Sequence, residues 1–297
     1  MMPGLEYPPL VVVTEEKVAI IAQDGGGSKV MTFDAHTGHL IWQSDYINHL
    51  HNVDVSEDHI YVGTIQYVQA FELETGQVLW QGAKQPQNKK GFLDVYATDE
   101  QVQVYDFDQE RLYLLDPQTG ETLEELDYPQ IFFKKGDTYY SGCRYGYKTS
   151  CLEAVSTITN KILWSYRFKG LVHLWPIFIE EDQIMLINSG GQLFAIDNIT
   201  GRIIWQSQGL HFVTGPAKQD NLIYTIRSDA IIVAFEPETG EEVGTIEMTP
   251  NRTIEDDKGN VLHYAIATSD KFVAAYYGNS QELFVFEKVD NTNGSEH

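Results

Sequence analysis

The 297-residue sequence predicts one all-β domain, a seven-bladed β-propeller of four-stranded antiparallel blades. Three observations predict this fold: a short motif that recurs about every 40 residues, alternating apolar runs between its copies, and turn residues within each copy. The repeats are anchored near residues 38, 76, 120, 160, 201 and 240, and a partial seventh repeat follows residue 263.

The recurring motif runs from an acidic residue through a Thr-Gly pair to a tryptophan, as in the segment DAHTGHLIW at 34–42. The threonine is present in all six copies, at Thr37, Thr75, Thr119, Thr159, Thr200 and Thr239. The glycine follows at Gly38, Gly76, Gly120, Gly201 and Gly240, with Asn160 in the fourth copy. The acid stands at Asp34, Glu72, Asp116, Asp197 and Glu236, with Ser156 in the fourth copy. The tryptophan stands at Trp42, Trp80, Trp164 and Trp205.

Each part of the motif has a physical role. The apolar runs on either side are strands, and the Thr-Gly pair is the turn between them, where glycine supplies a positive φ. The acid can accept hydrogen bonds from the turn's backbone N–H groups and from the threonine hydroxyl. The tryptophan is large and flat, and therefore suited to packing between neighbouring sheets. Two further alternating runs precede each pair, which makes four strands per repeat.

The seventh repeat is incomplete in the sequence. It supplies three strand-like runs, HYAIATSD, KFVAAYYG and ELFVFEK, and no fourth run follows them. We expect either a three-stranded last blade or a blade closed by the N-terminal residues Gly4 to Pro8, although prolines make a poor strand.

The spacing of acid, Thr-Gly and tryptophan resembles the tryptophan-docking repeat of PQQ-like propellers, and the resemblance covers nearly the whole chain. That family includes quinoprotein dehydrogenases, an outer-membrane assembly lipoprotein, and sensor or scaffold modules. The dehydrogenases hold their quinone against a vicinal disulfide, whereas Cys143 and Cys151 lie eight residues apart. We therefore expect no quinone-dependent dehydrogenase, no cofactor and no metal site. The assembly lipoprotein has eight repeats and a lipidated N-terminal cysteine, which this sequence does not show.

The charge balance narrows the choice of partners. The chain has 20 Lys and Arg residues against 43 Asp and Glu residues, a net charge of −23. This argues against nucleic acid and anionic membrane surfaces, and it favours a protein partner with a basic surface. We expect a monomeric propeller without membrane insertion, cytoplasmic if the sequence is complete and periplasmic or secreted if a leader was removed. Two reduced thiols are expected for the cysteines, and a bond across one hairpin is the alternative.

The predicted binding residues lie at two places. Aligning the innermost strands on the acid that ends each one brings His51, Phe92, Trp175 and His263 into one row and His49, His173 and His211 into another. These two rows should ring the mouth of the central channel, where they form a specific site or merely fill a wet opening. The second place is the loop CRYGYKTSC between the second and third strands of the fourth blade, which presents Arg144, Tyr145, Tyr147 and Lys148.

Two functions remain open at this point. The first is a non-enzymatic platform that binds a macromolecule, most plausibly a protein, because no nucleophile–base–acid set is recognisable and the fold hosts many functions. The alternative is an enzyme or small-molecule binder, of lyase or hydrolase type, with a His/Tyr/Arg site at the channel mouth.

Overall fold

A computed structural model describes most of the chain. The described residues are 11–24, 27–56, 58–83, 92–98, 100–106, 108–109, 111–126, 131–145, 149–168, 172–179, 183–188, 192–207, 214, 216–219, 221–248, 264–277 and 282–287. All regular secondary structure within these ranges is β-strand. No helix in this part of the chain has the length and apolar character needed to cross a membrane.

The strands form seven separate antiparallel sheets in chain order. The first three blades contain β1 Val11–Val13, β2 Lys17–Asp24, β3 Gly27–Asp34 and β4 Leu40–Gln43; β5 Leu50–Val55, β6 His59–Thr64, β7 Val68–Glu72 and β8 Val78–Gly82; β9 Leu93–Ala97, β10 Val102–Asp106, β11 Arg111–Leu115 and β12 Thr122–Leu126. The fourth and fifth contain β13 Ile131–Lys135, β14 Thr138–Tyr145, β15 Thr149–Ser156 and β16 Ile162–Arg167; β17 Val172–Ile179, β18 Gln183–Asn188, β19 Leu193–Asp197 and β20 Ile203–Gln206. The last two contain β21 Ala217–Gln219, β22 Leu222–Arg227, β23 Ile231–Phe235 and β24 Glu242–Glu247; β25 Tyr264–Thr268, β26 Phe272–Tyr277 and β27 Glu282–Glu287.

This architecture confirms the predicted seven-bladed propeller. Six sheets have four strands, and the seventh has three, β25 to β27. Strand β1 pairs with β2 as the inner strand of its own blade, and it also contacts β25, so that the first and last blades meet. The N-terminal segment Gly4 to Pro8, expected as one possible closure of the last blade, lies outside the described residues.

The hydrophobic core is divided among the junctions between blades. Alternate residues of a strand point to opposite faces of its sheet, so each blade packs against both neighbours. In β6, Ile60 and Val62 join the cluster shared with blade 1, whereas Tyr61 joins the cluster shared with blade 3. Each of the seven junctions has such a cluster, and the cluster between blades 3 and 4 has the fewest buried members.

The Thr-Gly turns are held by the acid that opens each motif. Oδ1 of Asp34 accepts hydrogen bonds from the backbone N–H of His36 at 3.1 Å and of Thr37 at 2.7 Å, and from the Thr37 hydroxyl at 2.7 Å. The same three bonds form around Asp116 and Asp197. Hydrogen bonds to the ionised form lower the pKa of all three carboxyls.

Each tryptophan of the motif docks on the turn of the next blade. The Trp42 indole N–H donates to the Leu73 carbonyl at 2.9 Å, and its ring lies over Gly76. Trp80, Trp164 and Trp205 donate in the same way to Pro117, Asn198 and Pro237, at 2.9, 2.8 and 2.6 Å. A Cβ atom on Gly76 would approach the Trp42 ring to 2.5 Å, so this glycine is required by space as well as by its φ of 72°.

After blades 3 and 7, which supply no tryptophan, no indole covers the turn of the next blade in the described part of the chain. Blade 3 has Glu124 at the tryptophan position, and the following turn has Asn160, exposed and at a φ of 54°. Blade 7 has no fourth strand among the described residues, and the following turn has Gly38, exposed at a φ of 69° with no atom within 4 Å of a Cβ position. The replacement of glycine by Asn160 is therefore compatible with the missing indole, whereas Gly38 keeps the glycine of the motif without an indole over it.

Two glycine substitutions should separate the two requirements. Asparagine tolerates positive φ, so Gly38→Asn should change the free energy of unfolding by less than about 1 kcal/mol. Gly76→Asn should lower it by about 2–3 kcal/mol, because its side chain overlaps the Trp42 ring. Urea unfolding followed by circular dichroism measures both, and equal losses in the two variants would contradict the docking account.

Candidate functional site

The inner strands of blades 2 and 3 bring together two of the predicted channel-mouth residues. The His51 and Phe92 rings stack with their centroids 4.3 Å apart and an angle of 21° between their planes. They occupy the same row of the sequence alignment, one repeat apart. His49 lies just before β5, exposed and at a φ of 54°. The alignment therefore identified a true pair of neighbours in the described part of the row.

His51 also forms an inter-blade ion pair when it is protonated. Its Nε2 lies 2.8 Å from Oδ1 of Asp94 at the start of blade 3's inner strand, and the side chains are 12% and 3% exposed. Burial raises the pKa of the Asp94 carboxyl, and the interaction with His51 opposes that rise. Phe92, next to this pair, covers one face of the imidazole. The imidazole of blade 2 is thus fixed across the junction by a carboxylate and an aromatic ring that both belong to blade 3.

Two more polar side chains of β5 bind the backbone of β9. The Asn52 amide donates to the Val95 carbonyl at 2.8 Å and accepts from the Val95 N–H at 3.1 Å. Oδ2 of Asp54 accepts from the Ala97 N–H at 2.8 Å. Because these bonds satisfy backbone groups at the free edge of β9, blades 2 and 3 are joined by a ladder of side chains along the channel.

Burial shifts the pKa values of the ionisable groups at this junction. Burial raises the pKa of Asp54 to about 6. The hydrogen bonds that its carboxylate accepts from the N–H groups of Ala97 and Val55 lower the pKa and so limit this rise. Burial also raises the pKa of Tyr96 well above its usual value, and the nearby Asp94 and Asp54 charges raise it further.

The junction of blades 3 and 4 repeats the pair of hydrogen bonds that Asn52 makes. The Gln103 amide donates to the Lys134 carbonyl at 2.7 Å and accepts from the Lys134 N–H at 2.8 Å.

Sequence reasoning missed Asn52, Asp54, Asp94 and Gln103. For the first three, the available signal was a polar residue within the alternating inner strands, in NVDV at 52–55 and LDV at 93–95. That signal does not show which backbone the side chain reaches, because the partners lie 43 residues away in the next repeat.

The other predicted mouth residues are less fully described. His173 and Trp175 lie in the inner strand β17, whose side chains are outside the described set. His211 and His263 lie outside the described residues altogether. The grouping of these four residues with His51 therefore stays a prediction.

The hairpin of blade 4 corrects the expectation for the cysteines. Strands β14 and β15 pair from Thr138↔Ser156 as far as Tyr145↔Thr149, which places Cys143 directly opposite Cys151. Cys151 is disulfide-bonded, and the chain has only these two cysteines. The expectation of two reduced thiols was wrong, because the hairpin register brings the two Cα atoms within the range of a disulfide.

This disulfide lies two residue pairs before the turn of the hairpin. Arg144 and Tyr145 are the last residues of β14, with side chains outside the described set, and Tyr147 and Lys148 lie outside the described residues. The cross-link therefore fixes the base of the segment in which sequence analysis found the basic and aromatic residues.

A cavity opens on the opposite side of the propeller. It has a volume of about 550 Å³ and is lined by the first-to-second strand turns of blades 1 and 7, with contributions from blades 2 and 6. Its lining includes Glu15, Glu16, Glu74 and Asp270, of which Glu74 pairs with Lys17. None of the predicted binding residues lines this cavity. Within the described ranges, no three His, Cys, Asp or Glu side chains are grouped as metal ligands.

The raised pKa of Asp54 predicts a pH dependence of stability. Since the folded-state pKa exceeds the unfolded value, the stabilisation is complete below about pH 4 and is lost as the pH rises through 6. Asp54→Asn has no charge to desolvate, and its amide oxygen still accepts from Ala97. Between pH 4.5 and 7.5 the wild-type free energy of unfolding should fall by about 2 kcal/mol more than that of the variant.

The control for this experiment is Asp58→Asn, which removes the same charge from an exposed position. Urea unfolding at the two pH values measures all three proteins. Parallel pH profiles for the wild type and Asp54→Asn would contradict the raised pKa.

Three solved structures with folds similar to this one illustrate the comparison. BamB from Moraxella catarrhalis has 16% sequence identity and a TM-score of 0.57, over 94% of this chain and 84% of that one. The computationally designed Ika8 protein has 14% identity and a TM-score of 0.65, over 96% and 98%. The β-propeller domain of Myceliophteria thermophila Cps50 (Swd1) has 12% identity and a TM-score of 0.66, over 97% and 98%. At these identities the similarity shows the fold alone.

Family comparison is more specific. No curated protein has a sequence that matches this chain. A family model described as outer membrane protein assembly factor BamB matches residues 6–131 and 110–293, which together cover most of the sequence. The docked tryptophans, the acid-stabilised Thr-Gly turns and this match agree, and the chain belongs to the BamB-like family of PQQ-like β-propellers.

Proposed function

We propose that this propeller is a non-enzymatic platform that binds a partner protein with a basic surface, using the disulfide-anchored hairpin of blade 4 and the adjacent channel mouth. The observation that carries the proposal is the cross-strand disulfide beneath a segment with two tyrosines, an arginine and a lysine. Arginine and tyrosine dominate binding hot spots, and a cross-link lowers the entropy lost when such a segment binds.

The charge of the chain suggests that the acidic surface and the basic hairpin of blade 4 have different roles in binding. The chain has a net charge of −23, which should steer a basic partner toward the propeller. The hairpin is a local basic and aromatic exception, suited to contacts at close range with acidic or carbonyl groups of the same partner. The family name, which describes an assembly factor, is consistent with a protein-binding role.

The enzymatic alternative has one supporting observation, the His51–Asp94 pair beside Phe92. An imidazole oriented by a carboxylate is a familiar general base. What weighs against it is the role of the neighbouring groups: Asn52 and Asp54 bind the backbone of β9, so the polar row already serves the junction. His51→Ala distinguishes the two, because a structural role predicts lower stability, whereas loss of a catalytic activity without loss of folding would favour the enzyme.

The disulfide also bears on localisation. Disulfides persist in oxidising compartments such as the bacterial periplasm, and the family model's name refers to the outer membrane. We therefore propose a periplasmic or secreted location over a cytoplasmic one.

A site-specific cross-linking experiment tests the binding surface. A photoreactive amino acid at Tyr145 should cross-link the partner in the cells of origin. The same group at Ile199, 77% exposed on the Thr-Gly turn of blade 5, should not. Equal cross-linking from both positions, or none from Tyr145, would contradict the proposed surface.

Charge reversal gives a quantitative form of the same test. Lys148→Glu should weaken binding of the purified partner by about tenfold, measured by isothermal titration. Lys161→Glu makes the same change at an exposed position next to the Asn160 turn and should leave the affinity unchanged. If both variants bind as the wild type does, the hairpin is not the contact.

A further inference from the structure

The outer rim of blades 4 and 5 carries a group of exposed aliphatic side chains. Ile158 and Ile199, on the turns that join the third and fourth strands of these blades, are 76% and 77% exposed, the highest values among the large hydrophobic side chains that the structure describes. The outer strands β16 and β20 add three more exposed aliphatic side chains, those of Ile162, Leu163 and Ile204. We call these five side chains, together with the exposed Lys161 and Arg202, the blade 4–5 rim.

The docked indole of Trp164 brings the contributions of the two blades together. Trp164 follows Leu163 in β16, its N–H donates to the Asn198 carbonyl at 2.8 Å, and its ring lies over Gly201. Ile199 lies between these two points of contact, on the same turn of blade 5. The exposed aliphatic residues are therefore neighbours across the junction. Single exposed apolar residues are ordinary, but a contiguous apolar patch with polar residues around it marks an interaction site.

Comparison of the repeats shows that the turn isoleucines are particular to blades 4 and 5. At the same place in the turn, the other four copies of the motif have polar residues, His36, Glu74, Gln118 and Glu238. These copies form the same turn between the third and fourth strands of their blades, and polar residues are usual at turn positions that face solvent. The fold of the blade therefore does not require an isoleucine at this place.

The charge of the rim also changes in these two blades. The position after the turn glycine or asparagine holds Lys161 in blade 4 and Arg202 in blade 5, whereas the other copies have His39, Gln77, Glu121 and Glu241. From the acid to the tryptophan position, the copies in blades 1, 2, 3 and 6 contain one, two, three and four acidic residues and no Lys or Arg. Blade 4 has no acidic residue there, because Ser156 replaces the acid, and in blade 5 Arg202 lies near the single carboxylate, Asp197.

We propose that the blade 4–5 rim binds a segment of a second partner protein that combines aliphatic residues with aspartate or glutamate. Its aliphatic side chains are buried against Ile158, Ile199 and Leu163. Its carboxylates face Lys161 and Arg202, because opposite charges at the edge of an apolar contact fix its register and exclude basic competitors.

The acidic blades on either side determine what kind of ligand fits. The outer strand of blade 3 is preceded by Glu121, and blade 6 carries Glu241 and Glu242 at the same level. A flat anionic membrane would bring these carboxylates close to its own charges, within a screening length of roughly 8 Å at physiological ionic strength. A protein segment is narrow enough to contact blades 4 and 5 alone.

A second copy of this chain is a poorer match for the same surface. A two-fold contact uses the same patch on both subunits, so a contact centred on this rim would bring Lys161 and Arg202 of one copy against basic residues of the other. Like charges placed opposite each other disfavour association. An acidic segment of a different protein has the complementary charge.

This ligand differs from the partner with a basic surface proposed above, and the inference stands apart from that function. Cross-linking of the basic partner from Ile199 is still not expected, because that partner contacts the hairpin of blade 4. The two surfaces can therefore be tested separately in one set of variants.

The test begins with a random peptide library displayed on phage and selected on the full-length protein. The enriched peptides should combine aliphatic residues with aspartate or glutamate. A fluorescent copy of the most enriched peptide is then titrated with the protein, and binding is measured by anisotropy. Ile199→Ser and Arg202→Glu should each weaken binding by about tenfold, because the first removes apolar contact and the second repels the carboxylates of the peptide.

Blade 2 provides matched controls. Leu79 and Ile204 both directly precede a docked tryptophan, and both are 41% exposed. Ile204→Ser should weaken peptide binding, whereas Leu79→Ser should leave it unchanged. Gln77→Glu introduces the same side chain as Arg202→Glu at the equivalent position of blade 2 and should also leave binding unchanged. Lys148→Glu should retain peptide binding, which separates the rim from the hairpin.

Four results would overturn the proposal. The first is a selection that enriches no peptides, or only peptides without acidic residues. The second is equal binding of the peptide to the wild type and to the blade 5 variants. The third is sedimentation of the protein with phosphatidylglycerol vesicles that Arg202→Glu abolishes, which would assign the rim to a membrane. The fourth is a wild-type dimer that Ile199→Ser dissociates, which would assign the rim to a second copy.

Discussion

The contact between each indole and the next blade's turn governs how this propeller is built. A flat ring lies against a glycine where any side chain would collide with it, and its N–H binds a carbonyl of the same turn. The contact therefore joins the outer strand of one sheet to the third and fourth strands of the next, far from the channel. Together with the buried cluster at each junction, it fixes the angle between neighbouring blades.

Two of the junctions without an indole are held in other ways. Between blades 3 and 4, where Glu124 replaces tryptophan, Gln103 binds the backbone of Lys134, and Glu124 pairs with the Lys134 ammonium at 2.6 Å. An exposed ion pair contributes little, so the buried amide contacts are the stronger substitute. Between blades 7 and 1, the rings of His36 and Phe272 make an edge contact with their centroids 4.9 Å apart, and Phe272 belongs to the apolar cluster of this junction. The ring is thus continuous but not uniform.

Polar side chains along the channel join the inner strands of neighbouring blades, as the indoles join the outer strand of one blade to the next. An inner strand has one edge without a strand partner, and its N–H and C=O groups must find other bonds. Asn52 and Asp54 supply them at the junction of blades 2 and 3. Gly63 allows the close approach, since a Cβ atom there would collide with the Leu93 carbonyl. The cost is a carboxyl whose pKa is raised to about 6.

The fold could be predicted because its motif is repeated along the sequence. The site could be predicted only in part, because several of its features occur in one blade alone. Blade number, turn positions and the short last blade could all be inferred from six copies of one motif. His51 and Phe92, which the structure shows stacked, were grouped in advance because both occupy the same place in consecutive repeats. Asp94 and the disulfide could not be identified in that way, because each depends on a register that occurs in only one blade. His173, Trp175, His211 and His263 stay predicted members of the mouth.

The exchange of Trp for Glu124 and of Gly for Asn160 shows that compatibility is a property of boundaries. Each indole and the glycine beneath it lie in successive repeats, so neither repeat alone contains both partners of the contact. Transplanting blade 4 to follow blade 1 would drive Asn160 into Trp42, whereas transplanting blade 5 to follow blade 3 would leave Gly201 uncovered. A gene rearrangement that keeps whole blades intact can therefore still fail, and the module that can be moved safely begins and ends inside a blade.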